Sequence, residues 1–368
     1  MRCTKFVFVL MFSILTKSAV AQQGLPADKL QKIVEKAAQS NKIHGLSFAV
    51  KTDNGSWFGA AGDLEVNSPH FIASTTKLFT TAIILQLRAQ NQLQLEQRLD
   101  RYFDSGFLQG LHVYRGREYA AEITIAQLLA HSSGLPDYFQ DKAADGRSWE
   151  ARLKSGDDFE WSFEQAMEQT RLMKPLFAPG TPKKAHYSDA NFQLLGRIIE
   201  LVSGMSYAEA CMHYIIQPLQ LQHTYLYSQP SDTLPAPLYY GPAVLNIPRA
   251  MTSFGADGGM VSTTADMLLF IEAFFTGQLF PEDYLAEMQD WRPIFFPLQS
   301  GMGIHRFKLP GLFNPLGKMP WFIGHSGLSG ALAYYSPQKR MFIVGTVNQV
   351  AHPDQSFKLL LKLAKACL

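Results

Sequence analysis

The chain has 368 residues and a formal net charge of +2, which argues against a nucleic-acid partner, because such proteins carry a marked basic excess or stripe. With 47% hydrophobic and 17% charged residues, the composition is typical of a globular protein with a sizeable core and excludes a disordered or fibrous chain. Three cysteines exclude a small scaffold held together by disulfides.

The first 21 residues have the pattern of a secretory signal peptide. Arg2 and Lys5 precede an almost unbroken apolar run over 6–15, and Ala19-Val20-Ala21 is a small-x-small cleavage signal. The apolar run is too short to span a bilayer, which needs roughly 20 residues. We therefore expect an exported protein, periplasmic or extracellular, with a mature domain over 22–368 and no stable membrane anchor after cleavage.

The mature chain retains Cys211 and Cys367, which an oxidising compartment would allow to pair. Their separation in sequence says nothing about geometry, so pairing stays open. The ten histidines form no His-Glu-x-x-His pattern and the cysteines no Cys-x-x-Cys pattern. We expect no metal and no other cofactor.

Strand patterns stand at both ends of the mature chain and helix patterns between them. Asp53-Asn54-Gly55 is a hairpin turn, and Pro337-Gln338-Lys339 joins two β-rich runs. Capping boxes begin two central helices. The predicted elements are helix 27–39, strands 44–50 and 55–61, helices 74–90, 124–131, 189–203, 206–218 and 264–275, strands 321–325, 331–336 and 341–348, and helix 356–366.

This order of elements predicts an α/β (α+β) fold with one antiparallel sheet built from the N- and C-terminal segments. The sheet subdomain takes about 26–72 and 300–368, with the terminal helices flanking the sheet. An all-helical subdomain over about 74–290 is inserted between the two segments. We find no internal repeat and no long linker.

The segment Ser74-Thr75-Thr76-Lys77 begins a predicted helix and is the first candidate for chemistry. Residues three apart share a helix face, so the Ser74 hydroxyl and the Lys77 ammonium can meet. Serine becomes a nucleophile when a base takes its proton, and burial can make lysine that base. The alternative is an N-cap serine with an unrelated lysine. A second Ser-x-x-Lys, from Ser336 to Lys339, lies in a predicted turn.

Two further segments carry candidate residues. Tyr187, before a predicted helix, can relay a proton to a leaving group; the alternatives are a half-buried aromatic residue and, for Asp189, an N-cap. In Gly324-His325-Ser326-Gly327, glycine lets a substrate approach, and an edge strand would leave N–H groups free to hold an oxyanion. The alternative is a Gly-rich strand with a bulge.

A rival interpretation takes Ser329 as the nucleophile elbow of an α/β-hydrolase. That fold needs an acid and then a histidine after the serine. No Asp or Glu occurs between Ser329 and His352, the only later histidine. The order of residues therefore excludes this interpretation.

The order Ser-x-x-Lys, Tyr-Ser-Asp and His-Ser-Gly resembles the serine β-lactamase and penicillin-binding protein superfamily. The branch with class C β-lactamases, D-alanyl-D-alanine carboxypeptidases and related esterases is the most similar. Segments 131–138 and 258–263 are also similar to it, and the resemblance covers about residues 26–368. It implies a sheet domain and an all-helical partner with the site between them.

The resemblance also implies roles for individual residues. Ser74 would be the acylated nucleophile, Lys77 its proton acceptor and Tyr187 a proton relay. The backbone N–H groups of Ser74 and Leu328 would form the oxyanion hole. The implied substrate-binding residues are Asp189, His325, Ser326, Gly327 and Leu328.

Two departures from the family pattern bear on the substrate. Asp189 stands where many relatives have Asn, so a donor is replaced by an acceptor, and an ionised Asp189 favours the charged form of Lys77. His325 stands where many have Lys and is mostly neutral at pH 7, which weakens carboxylate recognition. We expect an exported serine hydrolase that forms an acyl-enzyme with esters or D-amino-acid peptides. The alternatives are a β-lactamase and a catalytically silent penicillin-binding or sensor module.

Overall fold

A computed structural model describes residues 24–368, so the predicted signal peptide lies outside the described residues. The strands are β1 Gly45–Thr52, β2 Gly55–Gly62, β3 His70–Phe71, β4 Val113–Tyr114, β5 Arg117–Glu118, β6 Tyr225–Leu226, β7 Tyr239–Tyr240, β8 Ala243–Val244, β9 Met260–Ser262, β10 Arg292–Pro293, β11 Leu298–Ser300, β12 His305–Phe307, β13 Phe322–Ser326, β14 Ala331–Ser336 and β15 Met341–Thr346. The helices are α1 Ala27–Ala38, α2 Lys77–Ala89, α3 Ser105–Leu108, α4 Ile125–Leu129, α5 Trp149–Lys154, α6 Phe163–Arg171, α7 Asp189–Ser203, α8 Tyr207–Cys211, α9 Gln217–Leu219, α10 Pro248–Met251, α11 Thr264–Phe275, α12 Tyr284–Glu287 and α13 Asp354–Cys367.

Eight strands form one antiparallel sheet in the order β10-β11-β12-β13-β14-β15-β1-β2. β1, near the start of the chain, pairs with β15, near its end, so that Phe48 lies opposite Gly345. The prediction of one antiparallel sheet built from both ends of the chain is therefore confirmed. β3, β9 and β6 form a smaller sheet.

Helices cover both faces of the large sheet. In β1, Phe48 and Val50 pack with Leu30 of α1 and Leu360 of α13. Ala49, between them, packs in the cluster of the opposite face. Because side chains alternate across a strand, each central strand contributes to two hydrophobic layers.

The predicted boundary between the two subdomains needs two corrections. Helix α11, inside 74–290, packs on the sheet, where the Thr264 hydroxyl lies 2.8 Å from the Ser47 hydroxyl. Strands β10 and β11 extend the sheet to residues before 300. The sequence of α11 is almost wholly apolar, so it does not show which layer of the fold the helix joins. β10 and β11 have only two and three residues, which are too few to show the alternating pattern of a strand.

Helix α2 connects the sheet to the helical part. Its residues from Lys77 to Leu85 are all buried, and the Phe79 ring stacks on Phe270 of α11 at 3.8 Å between centroids. The N-terminus of α2 lies beside β13. Within 24–368 no helix has both the length and the apolar character needed to cross a bilayer.

The two cysteines within 24–368 do not form a disulfide with each other. Cys211 is buried in α8, Cys367 ends α13, and both are free. Burial raises the pKa of the Cys211 thiol to about 12, so this thiol is unreactive at neutral pH.

Candidate active site

Ser74 lies on a single 3₁₀ turn, Ala73–Thr76, that leads directly into α2. Ala73 has φ of 44°, a left-handed conformation that residues other than glycine rarely adopt. The turn leaves Ser74 half-buried at the mouth of the helix and Lys77 fully buried behind it. The Ser74 side chain caps no helix; its hydroxyl contacts Tyr187 and Lys77 instead.

The structure brings together the three residues that the sequence predicted as catalytic. The Tyr187 hydroxyl donates to Ser74 Oγ at 2.7 Å. Lys77 Nζ donates to the same oxygen at 3.3 Å and lies 5.0 Å from the centroid of the Tyr187 ring. Ser74 Oγ therefore has two partners that can move a proton.

Lys77 is held from three sides. Its Nζ forms an ion pair with Asp189 Oδ1 at 2.6 Å and donates to the Asp257 carbonyl at 2.5 Å. Both side chains of the ion pair are buried, so little water separates them. Lys77 Nζ is thus a donor to Ser74 Oγ, to the Asp189 carboxylate and to the Asp257 carbonyl. Helix α7 begins at Asp189 itself, so the alternative of an Asp189 N-cap is wrong.

Tyr187 is a neutral phenol in this arrangement. Burial, together with the negative charge of Asp189, raises the pKa of Tyr187 well above its usual range. The hydroxyl therefore carries its proton at neutral pH and points it at Ser74 Oγ.

Two buried carboxyl groups near Lys77 were not predicted from the sequence. Asp257 Oδ2 accepts from the Tyr138 hydroxyl at 2.6 Å, and Asp137 Oδ1 accepts from the Asp189 N–H at 3.2 Å. Burial, reinforced by the charge of Asp189, raises the pKa of both carboxyl groups well above the usual range. Asp137 lies in segment 131–138 and Asp257 directly precedes segment 258–263. The similarity of these two segments to the family was the signal by which the two residues could have been found. Of these three carboxyl groups, Asp189 is the one that contacts Lys77 Nζ.

The end of β13 closes against the nucleophile. β13 pairs with both β12 and β14, so the expectation of an edge strand is wrong. The strand ends at Ser326, and neither the Ser74 nor the Leu328 backbone N–H has an acceptor within 24–368. These two free donors beside Ser74 are suited to hold an oxyanion.

Gly327 is the point of closest approach between the strand and the nucleophile turn. A Cβ on Gly327 would lie 2.4 Å from the Ile72 carbonyl oxygen and 3.1 Å from Ser74 N. We expect Gly327→Ala to shift the strand from Ser74 and lower kcat on the order of 100-fold. Steady-state kinetics measure this, with Gly311→Ala as control, since no atom lies within 4 Å of a Cβ there. Equal activity in both variants would contradict the expected crowding.

Three histidines lie beside Tyr187, and two of them, His131 and His305, were not predicted. The His325 ring stacks on His305 at 4.1 Å between centroids, and His131 stacks on Tyr187 at 4.7 Å. Burial lowers the pKa of His305 to about 3 and those of His131 and His325 well below the usual range. All three are neutral at neutral pH. The position where many relatives have Lys therefore carries no cation.

The buried histidines predict a loss of stability in acid. His305 has a pKa of about 3 in the folded chain, against an ordinary histidine pKa of 6.5. Between these values the unfolded chain binds a proton that the folded chain does not, so stability is complete above about pH 6.5 and falls as the pH drops. By linkage, His305 contributes about 2 kcal/mol of the loss between about pH 7 and about pH 5.

We expect His305→Phe to keep the stack and remove that share of the loss. Urea unfolding at the two pH values measures it, with the exposed His213 replaced in the same way as control. An unchanged pH dependence in His305→Phe would contradict this assignment.

Two clefts meet at Ser74. The apolar cleft opens on one side of the serine, and the histidine cleft opens on the other. The apolar cleft is lined by Phe139, Leu238, Leu245, Ile247, Met251 and Phe254. The histidine cleft is lined by Tyr187, Phe295, His305, His325, Ser326 and Phe357. Each can hold one side of a carbonyl substrate.

No metal site is apparent in this part of the molecule. Within 24–368, no group of three or more His, Cys, Asp and Glu side chains is placed to hold a metal ion. The buried Asp and His side chains near Ser74 are instead partners of Lys77, Tyr187 and each other.

Comparison with known proteins decides the family. Residues 30–366 match the family described as Beta-lactamase. The chain belongs to the Beta-lactamase family. This confirms the predicted superfamily and fold and places the protein among the β-lactamase-related serine hydrolases.

Several relatives of this Beta-lactamase family member are named for D-amino-acid substrates. "Teichoic acid D-alanine hydrolase" from Staphylococcus aureus is 27% identical over 205 residues, which are 55% of this chain and 44% of that protein. The chain thus matches less than half the length of this curated relative.

Solved structures share the fold. A D-stereospecific amidohydrolase from Streptomyces sp. has a TM-score of 0.73 and 24% identity, covering 93% of this chain and 98% of that chain. D-amino acid amidase from Ochrobactrum anthropi SV3 has a TM-score of 0.74 and 21% identity, covering 92% and 99%. At these identities the likeness shows the fold alone.

Proposed function

We propose that this protein is an exported serine hydrolase that forms an acyl-enzyme at Ser74 and acts on esters or amides of D-amino acids. The observation that carries the proposal is the placement of Ser74 Oγ between the Tyr187 hydroxyl and Lys77 Nζ where the two clefts meet. Export rests on the signal-peptide pattern of residues 1–21.

The contacts support a sequence of proton transfers. Asp189 can take a proton from Lys77 across their 2.6 Å bond, which leaves an amine able to accept the Ser74 proton as Oγ attacks the carbonyl carbon. The Ser74 and Leu328 N–H groups would hold the oxyanion. Tyr187 then donates its proton to the leaving group and regains one from Lys77. Water repeats the sequence to release the acyl group.

The histidine cleft supports an uncharged leaving group. Its lining residues include no Lys or Arg, and His325 in it is neutral. β-Lactams and D-alanyl-D-alanine peptides both present a carboxylate, which a cation would recognise. The histidine cleft therefore favours a D-amino-acid ester or amide over these two substrates, and Lys154, which lines the apolar cleft, is paired with Glu150 at 2.7 Å. This preference agrees with the names of the relatives above.

A substrate panel tests the proposal. We expect D-alanine p-nitrophenyl ester and D-amino-acid amides to be hydrolysed, with kcat/KM about 100-fold or more above that for nitrocefin or a D-alanyl-D-alanine peptide, because a buried unpaired carboxylate costs about 3 kcal/mol. A phosphonate probe should label Ser74, read by mass spectrometry. Faster hydrolysis of nitrocefin would favour a β-lactamase. Stable acylation without turnover would favour a silent penicillin-binding module. Absence of the phosphonate label would refute the proposal.

A further inference from the structure

Two loops beside the histidine cleft expose five large apolar side chains. The β10–β11 turn exposes 45% of Phe295 and 84% of Phe296. The β12–β13 loop exposes 85% of Leu312, 67% of Phe313 and 75% of Leu316. A cluster of this kind on a soluble protein usually marks a contact with another protein or a membrane.

The two loops lie next to each other and form one surface. Phe296 and Leu298 of the first line a groove together with Lys308 and Gly311 of the second. The β12–β13 loop is closed by Asn314, whose side chain bonds to the Met319 N–H and carbonyl at 3.1 and 2.8 Å. Leu316 lies within the closed segment and Leu312 directly before it, and both are exposed.

The charged side chains of the two loops themselves are of one sign, Lys308 and Lys318. Asp354, which lines the neighbouring histidine cleft, is paired with Lys358 at 2.6 Å. Residues 291–353 contain no Asp or Glu, whereas they contain six Lys and Arg. Lys308 and Lys318, at the two ends of the loop, are exposed and form no ion pair with any residue of 24–368. An apolar surface flanked by unpaired lysines is suited to an anionic lipid surface, where apolar tips enter the interface and lysines meet the headgroups.

We propose that this lipid-facing surface, formed by Phe296, Lys308, Leu312, Phe313, Leu316 and Lys318, docks on an anionic membrane. It is a peripheral contact and needs no membrane-spanning segment. The opposite charge of an anionic bilayer is what selects this occupant over a second copy of the chain.

The surface is continuous with the proposed active site. Phe295 lines the histidine cleft together with Ser74, and its ring lies 5.4 Å from that of Tyr187. Docking would place the mouth of this cleft at the lipid headgroups. If the proposed function holds, the substrates are D-amino-acyl esters displayed at a membrane surface.

Vesicle flotation tests membrane docking. The protein is used as an expression host secretes it, and mass spectrometry establishes its N-terminus. We expect binding to vesicles of equal phosphatidylglycerol and phosphatidylcholine, weaker binding to phosphatidylcholine alone, and a decrease with salt. Leu312→Ser with Leu316→Ser should weaken binding about tenfold or more, because two leucines lose their burial in the interface. Leu172→Ser with Leu234→Ser is the matched control, since these leucines are 68% and 72% exposed elsewhere.

The outcomes separate this inference from the proposed function. The Leu312 and Leu316 variant should hydrolyse a soluble D-alanine ester at the wild-type rate but a vesicle-bound ester more slowly. Binding without any hydrolysis would keep the inference on docking and refute the function. No vesicle binding by the wild type, or a dimer in light scattering that the Leu312 and Leu316 variant abolishes, would overturn the inference.

Discussion

Ser74→Ala is expected to lower kcat for a D-alanine ester by about 10⁴-fold or more, because no other group can form the acyl-enzyme. Phosphonate labelling should disappear with it. The folded state should lose about 1 kcal/mol at most, since the change removes one hydroxyl with two hydrogen bonds at a half-buried position. Kinetics, intact-mass labelling and thermal unfolding of the same preparation measure all three effects.

Ser336→Ala is the matched control for Ser74→Ala. Ser336 begins the second Ser-x-x-Lys of the chain, is buried at the end of β14, and its hydroxyl has no partner in the described structure. We expect full activity and unchanged labelling. If the Ser74→Ala variant were still labelled, the nucleophile would be another residue. Ser329, the serine of the rejected α/β-hydrolase interpretation, would then be replaced next.

Lys77→Met is expected to abolish activity and to lower the free energy of unfolding by about 3 kcal/mol or more. The change leaves the Asp189 carboxylate buried without its partner, near the carboxyl groups of Asp137 and Asp257. Breaking a buried ion pair by removing one charge costs about 3 to 5 kcal/mol. Lys51→Met is the control, because the Lys51–Glu272 pair has the same 2.6 Å separation but is about one-third exposed, and such pairs contribute about 1 kcal/mol at most.

The double variant Lys77→Met with Asp189→Asn separates folding from catalysis. Replacing the charged partner by an amide should restore most of the lost stability, since no unpaired charge remains. Activity should stay absent because the proton acceptor for Ser74 is missing. Urea unfolding and ester hydrolysis measure the two effects. A double variant no more stable than Lys77→Met would show that the ion pair is not what Lys77 contributes to the fold.

Some of this site was predictable because its signals are local. Ser74 and Lys77 are three positions apart at a helix start, and α7 begins and ends where the sequence predicts. The two hairpin turns and the last strands were also found from neighbouring residues. The local patterns that predict turns, helix caps and periodic faces depend on only a few adjacent side chains.

The unpredicted residues act through distant neighbours. His131 stacks on Tyr187 and His305 stacks on His325, each pair from distant segments. Asp257 likewise reaches Tyr138 across 119 positions. No local pattern distinguishes such a residue from an ordinary polar one. Their neutral state is set by burial, which no single segment reveals.

The sequence by itself determined the family, the antiparallel sheet drawn from both chain ends, and the candidates Ser74, Lys77, Tyr187, Asp189 and His325. Only the tertiary structure decided the surroundings of these groups: Lys77 paired with Asp189 at 2.6 Å, Tyr187 a buried phenol, and His325 a buried ring stacked on His305. The near-zero net charge of the chain carries none of this information. The physical reason is that the free energy of a charge depends on the distance to its partner and on its separation from water, and folding sets both.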